Sequence, residues 1–219
     1  MTRSIRVLIV DDHTVVRQTM RTVLDLEADI DVVDDVPDAA GAIAAVKTNR
    51  VDVALVDYLL DGLDGIALAI ELRARVPALK VLILTAEDDD RVLVAAMEAG
   101  CAGFLTKVQP IDEVLSAVRA AAAGEPVISS GVLLRLLPQL QRREDPRGAG
   151  ADLTDREREV LLLMASGATN PVMAAELFIS LHTVRNHVHN VLRKLNAHSK
   201  LEAVAIAVRT GVIPATRTG

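Results

Sequence analysis

The chain has 219 residues, enough for one large domain or two small ones; 51% are apolar, 25% charged and 1% aromatic. With one Tyr, two Phe and no Trp the core must be built from Leu, Val, Ile and Ala, and the single cysteine, Cys101, excludes an internal disulfide and fits a reducing cytosol. No run approaches the ~20 apolar residues of a membrane span, and the apolar run 5–10 is too short for a signal-peptide core, so a cytoplasmic location without a membrane partner is expected.

The first half alternates short apolar runs with amphipathic segments. Strands are expected at Ile5–Val10, Asp31–Val36, Asp52–Val56, Leu79–Leu84 and Gly103–Leu105, and helices at Thr14–Leu26, Asp38–Asn49, Gly65–Val76, Asp89–Ala99 and Ile111–Ala123. Runs this rich in Val, Ile and Leu read as strands buried on both faces, which predicts an α/β domain with a five-stranded parallel, doubly wound sheet over 1–123. Pro37, Pro77 and Pro110 fall at element boundaries, where a missing N–H does least harm. Residues 124–152 read as a linker holding a short helix, Val132–Leu140, interrupted at Pro138 and followed by the charged stretch Gln141–Gly150. Residues 153–213 are predicted all-helical and 214–219 a tail. The helices run Asp155–Ser166, Pro171–Leu177 with Asn170 as N-cap, Leu181–Leu195 with Ser180 as N-cap, and Lys200–Arg209.

Charge follows the same division. Residues 1–123 carry 12 Lys+Arg against 21 Asp+Glu, a net of −9, whereas 152–219 carry 8 against 6. An acidic half joined to a mildly basic one suggests two tasks, the second on a polyanion.

Right-handed crossovers put all strand C-termini on one sheet edge. Asp11, Asp12, Asp57, Thr85 and Lys107 follow four of the five strands and converge there. Three close carboxylates stay ionised only beside a compensating cation, for which Mg²⁺ (or Mn²⁺) is suited. Lys107 adds a fixed charge, Thr85 a hydroxyl for a phosphoryl oxygen, and one Asp is free to act as nucleophile. The run Glu87-Asp88-Asp89-Asp90 is explained by the positive end of the helix that follows it.

In the second half, Val184, Val188, Val191, Leu192 and Leu195 form one apolar stripe on the helix 181–195. Arg185, Asn186 and His189 share another face suited to base edges, and Arg193, Lys194 and Lys200 are suited to phosphates. A short helix, a three-residue turn and a longer helix read as helix-turn-helix. His187 and His189 read as DNA-side donors or packing residues; no histidine pair on this helix has the i, i+4 spacing of a zinc site. Val204, Ala207 and Val208 fit either a dimer seam or core packing.

Through Asp11-Asp12, Asp57 and its turn to Gly65, Thr85-Ala86 and Lys107, residues 1–123 resemble the flavodoxin-like receiver domain of two-component response regulators. The resemblance implies that Asp57 accepts phosphate from a sensor histidine kinase. It also implies that Asp12, Asp57 and the Leu59 carbonyl hold Mg²⁺ with Asp11 acting through water, that Thr85 and Lys107 bind the phosphoryl oxygens, and that Phe104 swings inward with Thr85. The chain departs from that pattern in having Asp61 where Pro is usual, Val108 in place of Pro, and Phe104 for Tyr; none removes a reacting group.

Residues 153–213 resemble the LuxR-type output domain of NarL/FixJ regulators. The matching residues are Leu153-Thr154-x-Arg156-Glu157-x-Glu159-Val160-Leu161, Gly167-x-x-Asn170, Ala174-x-x-Leu177, Thr183-Val184-Arg185-Asn186-His187-Val188, Lys194-Leu195, Ser199 and Glu202-Ala203-Val204. Pro171-Val172-Met173 departs from the usual Lys-Glu-Ile. The resemblance implies double-stranded DNA as partner, with Arg185, Asn186 and His189 facing the major groove. An N-terminal domain of net −9 tethered by about thirty residues to a basic one can cover the reading helix at high effective concentration; the resemblance implies that phosphorylation loosens that contact and frees the helix 200–209 for a homodimer, which would read two half-sites.

An Asp-nucleophile phosphatase would want an acidic residue two positions after Asp57, where Leu59 stands. A regulator enclosing a lipid-like signal would want rings that the N-terminal half lacks. A LuxR-type regulator working without phosphorylation is the remaining alternative, against which the complete set Asp11, Asp12, Asp57, Thr85 and Lys107 argues. The sequence is therefore read as a DNA-binding, phosphorylation-controlled transcription regulator, a Mg²⁺-dependent phosphoacceptor rather than an enzyme.

Overall fold

The computed structural model describes residues 4–60, 63–86, 89–141 and 152–214. They form two compact units, one spanning Met1–Asp88 and Cys101–Val127, the other Asp89–Gly100 and Ile128–Gly219. Asp61, Glu87, Asp88, part of the expected linker (142–151) and most of the tail (215–219) lie outside the described residues.

In the first unit the strands are β1 (Ile5–Val10), β2 (Ile30–Val36), β3 (Val53–Asp57), the two-residue β4 (Leu59–Leu60) and β5 (Leu63–Asp64), β6 (Lys80–Thr85) and β7 (Gly103–Thr106). The helices are α1 (Thr14–Leu24), α2 (Ala39–Thr48), α3 (Gly65–Arg75) and α5 (Ile111–Ala122). Five strands form the expected parallel sheet in the order β2-β1-β3-β6-β7. Val7, Ile9, Val53, Leu55, Leu82 and Leu84 join α1 and α5 in one core on one face of the sheet. The intervening Leu8, Val10, Ala54, Val56, Val81 and Ile83 are equally buried. Burial on both faces is why the strands read as unbroken apolar runs.

Asp57 closes β3 from inside the strand, one residue beyond the expected end. The turn after it is a minimal antiparallel pair, β4 with β5. Asp64 then caps α3, its carboxylate accepting from the Ile66 N–H at 2.8 Å. Gly65 is obligatory here, because a Cβ would stand 2.0 Å from the Asp57 carbonyl oxygen.

The second unit contains α4 (Asp90–Glu98), α6 (Ser130–Gln141), α7 (Asp155–Ala165), α8 (Asn170–Glu176), α9 (Leu181–Leu195) and α10 (Lys200–Arg209). The interruption expected at Pro138 does not occur: α6 continues through it. A proline costs a helix its hydrogen bond at that position, but Leu133, Leu136, Leu137 and Leu140 on the same stripe are all buried. Asn170 is not a cap either. Thr169 holds the N-cap position of α8, and Asn170 is buried, accepting from Lys200 Nζ at 2.8 Å.

Helix α7 starts with a capping box in which Thr154 accepts from the Glu157 N–H and Glu157 accepts from the Thr154 N–H. The same Glu157 oxygen takes a 2.6 Å bond from Lys194 Nζ in the last turn of α9. Burial alone would raise the Glu157 carboxyl, but Lys194 and Thr154 outweigh it and hold it below the usual glutamate range. Its stabilising contribution is therefore complete above the ordinary glutamate value and is lost as pH falls through the lowered one. Glu157→Gln should cost about 1.5–3 kcal/mol at neutral pH. Its melting temperature should vary less than wild type in the acid range, as read by circular dichroism from pH 7 downward.

Candidate functional site

At the C-terminal edge of the sheet, β1 delivers Asp11, β3 ends on Asp57 and β6 ends on Thr85, all three buried. Lys107, one residue past β7, reaches both carboxylates: its Nζ is 2.6 Å from Asp57 Oδ2 and 2.9 Å from Asp11 Oδ2. Its backbone N–H donates to the Thr85 carbonyl at 2.8 Å, so the ammonium and the Thr85 segment are held together. The structure thus brings together the acids and the amine picked out from the sequence, with Thr85 at the same edge of the sheet. Phe104 lies in β7 opposite Ile83, half-buried.

Burial raises the Asp57 carboxyl above the usual aspartate range, more than Lys107 lowers it, and the neighbouring Asp11 adds to the rise. Burial would lower Lys107, but its bonds to Asp57 and Asp11 outweigh that and raise it. The two buried carboxylates, Asp11 and Asp57, thus share the Lys107 ammonium. Ligand atoms of Asp11, Asp12, His13 and Asp57 lie within 4.8 Å of one another. An oxygen-rich donor set of this size, short of positive charge, fits a divalent cation. The Leu59 N–H makes a long 3.4 Å bond back to Asp57 Oδ1, keeping the residue expected to lend its carbonyl close to the pocket.

His13 is the residue that sequence reasoning missed. Its Nδ1 is 2.7 Å from Asp12 Oδ1, and adjacency to the acid pair was the signal available. Arg17 was missed as well; it donates to the Asp11 carbonyl at 2.6 Å.

In the second unit, Val184, Val188, Val191 and Leu195 of α9 are buried, while Arg185, Asn186, His189 and Arg193 are exposed. The Ser180 hydroxyl accepts from the Thr183 N–H and pairs with the Thr183 hydroxyl at 2.8 Å, fixing the start of the helix. His187 is half-buried between the two faces. Two expected phosphate contacts are committed elsewhere. Lys194 bonds Glu157 and the Asp152 carbonyl, and Lys200 is buried on Asn170. Both lysines donate to internal acceptors rather than project to solvent. Val204, Ala207 and Val208 are fully buried in this chain, because α10 has α4, α6, α7 and α9 as neighbours.

The response regulator receiver domain pattern matches residues 7–119, and that of bacterial regulatory proteins of the luxR family matches residues 151–207. The chain belongs to the two-component response regulators that join a receiver to a LuxR-type DNA-binding domain. It is 33% identical over 209 residues to the transcriptional regulatory protein LiaR of Bacillus subtilis, covering 95% of this chain and 99% of that one. It is 34% identical over 205 residues to the probable transcriptional regulatory protein NarL of Mycobacterium tuberculosis, covering 94% of each. Among solved structures it is similar to the response regulator ChrA of a heme-sensing two-component system, at 34% identity and a TM-score of 0.51 over 96% of this chain and 99% of that one. No helix among the described residues is long and apolar enough to cross a membrane.

Lys107→Ala leaves Asp11 and Asp57 without their shared cation. With divalent ions absent, the variant should be less stable than wild type by up to about 3–5 kcal/mol at neutral pH. Because a raised carboxyl is relieved by protonation, the deficit should shrink as pH falls and shrink also when Mg²⁺ is added; thermal melts at two pH values, with and without the ion, check both.

Proposed function

We propose that this response regulator is switched by phosphorylation of Asp57 and that the switch controls dimeric binding to double-stranded DNA. Residues 1–123 would form the receiver, 124–152 the linker, 153–213 the DNA-binding domain and 214–219 a tail, working in the cytoplasm. The observation that carries the reading is the Lys107 ammonium shared between buried Asp57 and buried Asp11 beside the buried Thr85.

An Asp57 oxygen attacks the phosphorus of a sensor kinase's phosphohistidine; the new P–O bond forms as the P–N bond breaks and the imidazole leaves. Asp12, Asp57 and the Leu59 carbonyl, with Asp11 acting through water, would hold a Mg²⁺ or Mn²⁺ ion, which when bound would supply charge neutralisation at the phosphoryl oxygens. Lys107, already 2.6 Å from Asp57 Oδ2, re-pairs with a phosphoryl oxygen, and the Thr85 hydroxyl bonds another, with Phe104 following.

Support for the output step comes from α4, whose N-cap Asp89 lies four residues after Thr85 in the chain. In the second unit α4 lies against α6 and α10. Asp90 pairs with Arg135 and accepts from Gln139 at 2.7 Å, and Glu98 faces Arg209 at 3.4 Å. The mask proposed here is α4 on α10, within the second unit. Movement of Thr85 toward a phosphoryl group pulls on α4, loosens it from α10 and releases α10 for a second copy.

Intact mass after incubation with acetyl phosphate and Mg²⁺ tests the acceptor: wild type should gain one phosphoryl group and Asp57→Asn none. A full yield in the variant would refute the assignment. On the DNA side, Arg185→Ala should lose about 1–3 kcal/mol at one base position. Arg193→Ala, altering the exposed cation nearest the end of α9, should weaken all sequences alike and reduce the salt slope by about one. Equal losses on specific and random DNA for Arg185→Ala would exclude α9 as the reading helix.

A further inference from the structure

We propose that His13 is itself a ligand of the cation in the acidic pocket and gives the site a preference for late divalent transition ions over Mg²⁺. The inference rests on the reading of Asp11, Asp12 and Asp57 as a cation site. The His13 backbone N–H donates to Asp11 Oδ1 at 2.8 Å, which anchors the residue at the rim. Its Nδ1 is 2.7 Å from Asp12 Oδ1 and 3.4 Å from Asp11 Oδ1. All four ligand atoms of the group, the Asp57 oxygen included, lie within 4.8 Å of one another.

Ligand atoms about 2.0–2.2 Å from a common ion stand about 3–4.4 Å apart, so the 2.7 Å His13–Asp12 pair would open slightly and the widest separation would close by a few tenths of an ångström. The ring can make that move without disturbing packing, since its side chain is 66% exposed.

His13 also has no other structural duty in view. It occupies the N-cap position of α1, where Ser, Thr, Asp or Asn would cap, and its side chain makes no capping bond. An imidazole placed there does nothing for the helix and stands instead among three carboxylates. Mg²⁺ takes oxygen ligands and parts reluctantly with water, so one nitrogen adds little to its binding. Imidazole nitrogen suits later divalent ions, whose affinity for a mixed N/O set rises along the first transition row.

The test uses the full chain and Co²⁺, followed by its visible absorption. His182, His187, His189 and His198 offer other sites, so only the Co²⁺ signal displaced by excess Mg²⁺ is counted, with Asp57→Asn as the blank. His13→Ala and His13→Gln should each lose at least ~10-fold in Co²⁺ affinity at this site while Mg²⁺ affinity changes less than ~3-fold. Unchanged Co²⁺ affinity would overturn the proposal. So would equal losses for both ions, which would make His13 a residue that only positions Asp12. In either case Mg²⁺ binding and phosphoryl gain at Asp57 in wild type would leave the reading of the pocket intact. Failure of wild type to bind either ion there would sink that reading and this inference together.

Discussion

Asp11 and Asp57 are buried side by side at the C-terminal edge of the sheet and share a single cation, Lys107. Removing two carboxylates from water is costly unless charge and hydrogen bonds replace the solvent. The fold meets that demand only in part, which is why Asp57 stays above the ordinary aspartate range. In the function proposed, such a pocket has standing affinity for a divalent ion and holds Asp57, as nucleophile, and Lys107 in place beforehand. The sheet exists to enforce this. Unbroken apolar strands fix the three residues at one edge, and Gly65 lets α3 begin against the Asp57 carbonyl.

The second unit is arranged around α10. Its Val204, Ala205, Ala207 and Val208 are inaccessible, and its ends are tied by Lys200 to Asn170 and by Arg209 to Glu98. A helix enclosed on four sides cannot also present a seam to a second copy, so the same surface cannot serve both at once. In the switch proposed, competition of this kind would turn a modest displacement of one neighbour into a two-state choice. Helix α4 is the neighbour best placed to yield, because only a short segment separates it from Thr85 along the chain.

Much of this was legible in the residues. Strands buried on both faces announce themselves as Val/Ile/Leu runs, and the parallel topology then dictates that Asp11, Asp57, Thr85 and Lys107 meet. The two-faced character of α9 was visible because its apolar stripe, Val184 to Leu195, leaves Arg185, Asn186 and His189 on another face. What stayed hidden depends on partners distant in the chain. Lys194 and Lys200 look like free cations until Glu157 and Asn170, 37 and 30 residues away, are seen beside them. Val204, Ala207 and Val208 carry more apolar surface than three helices need, and nothing local reveals that α4 and α6 cover it. Pro138 misled in the opposite direction, since local propensity yields where four leucines on one stripe are buried.

The claim on which the account turns is that phosphoryl transfer to Asp57 releases α10 from α4. Hydrogen–deuterium exchange, followed by mass spectrometry on dilute DNA-free protein with and without acetyl phosphate and Mg²⁺, measures this at both helices. The account predicts that backbone amides in Asp90–Glu98 and Lys200–Arg209 exchange faster once Asp57 is phosphorylated, while those of β1 and β3 do not change. Unaltered protection of both helices in protein shown by mass to be fully phosphorylated would contradict it.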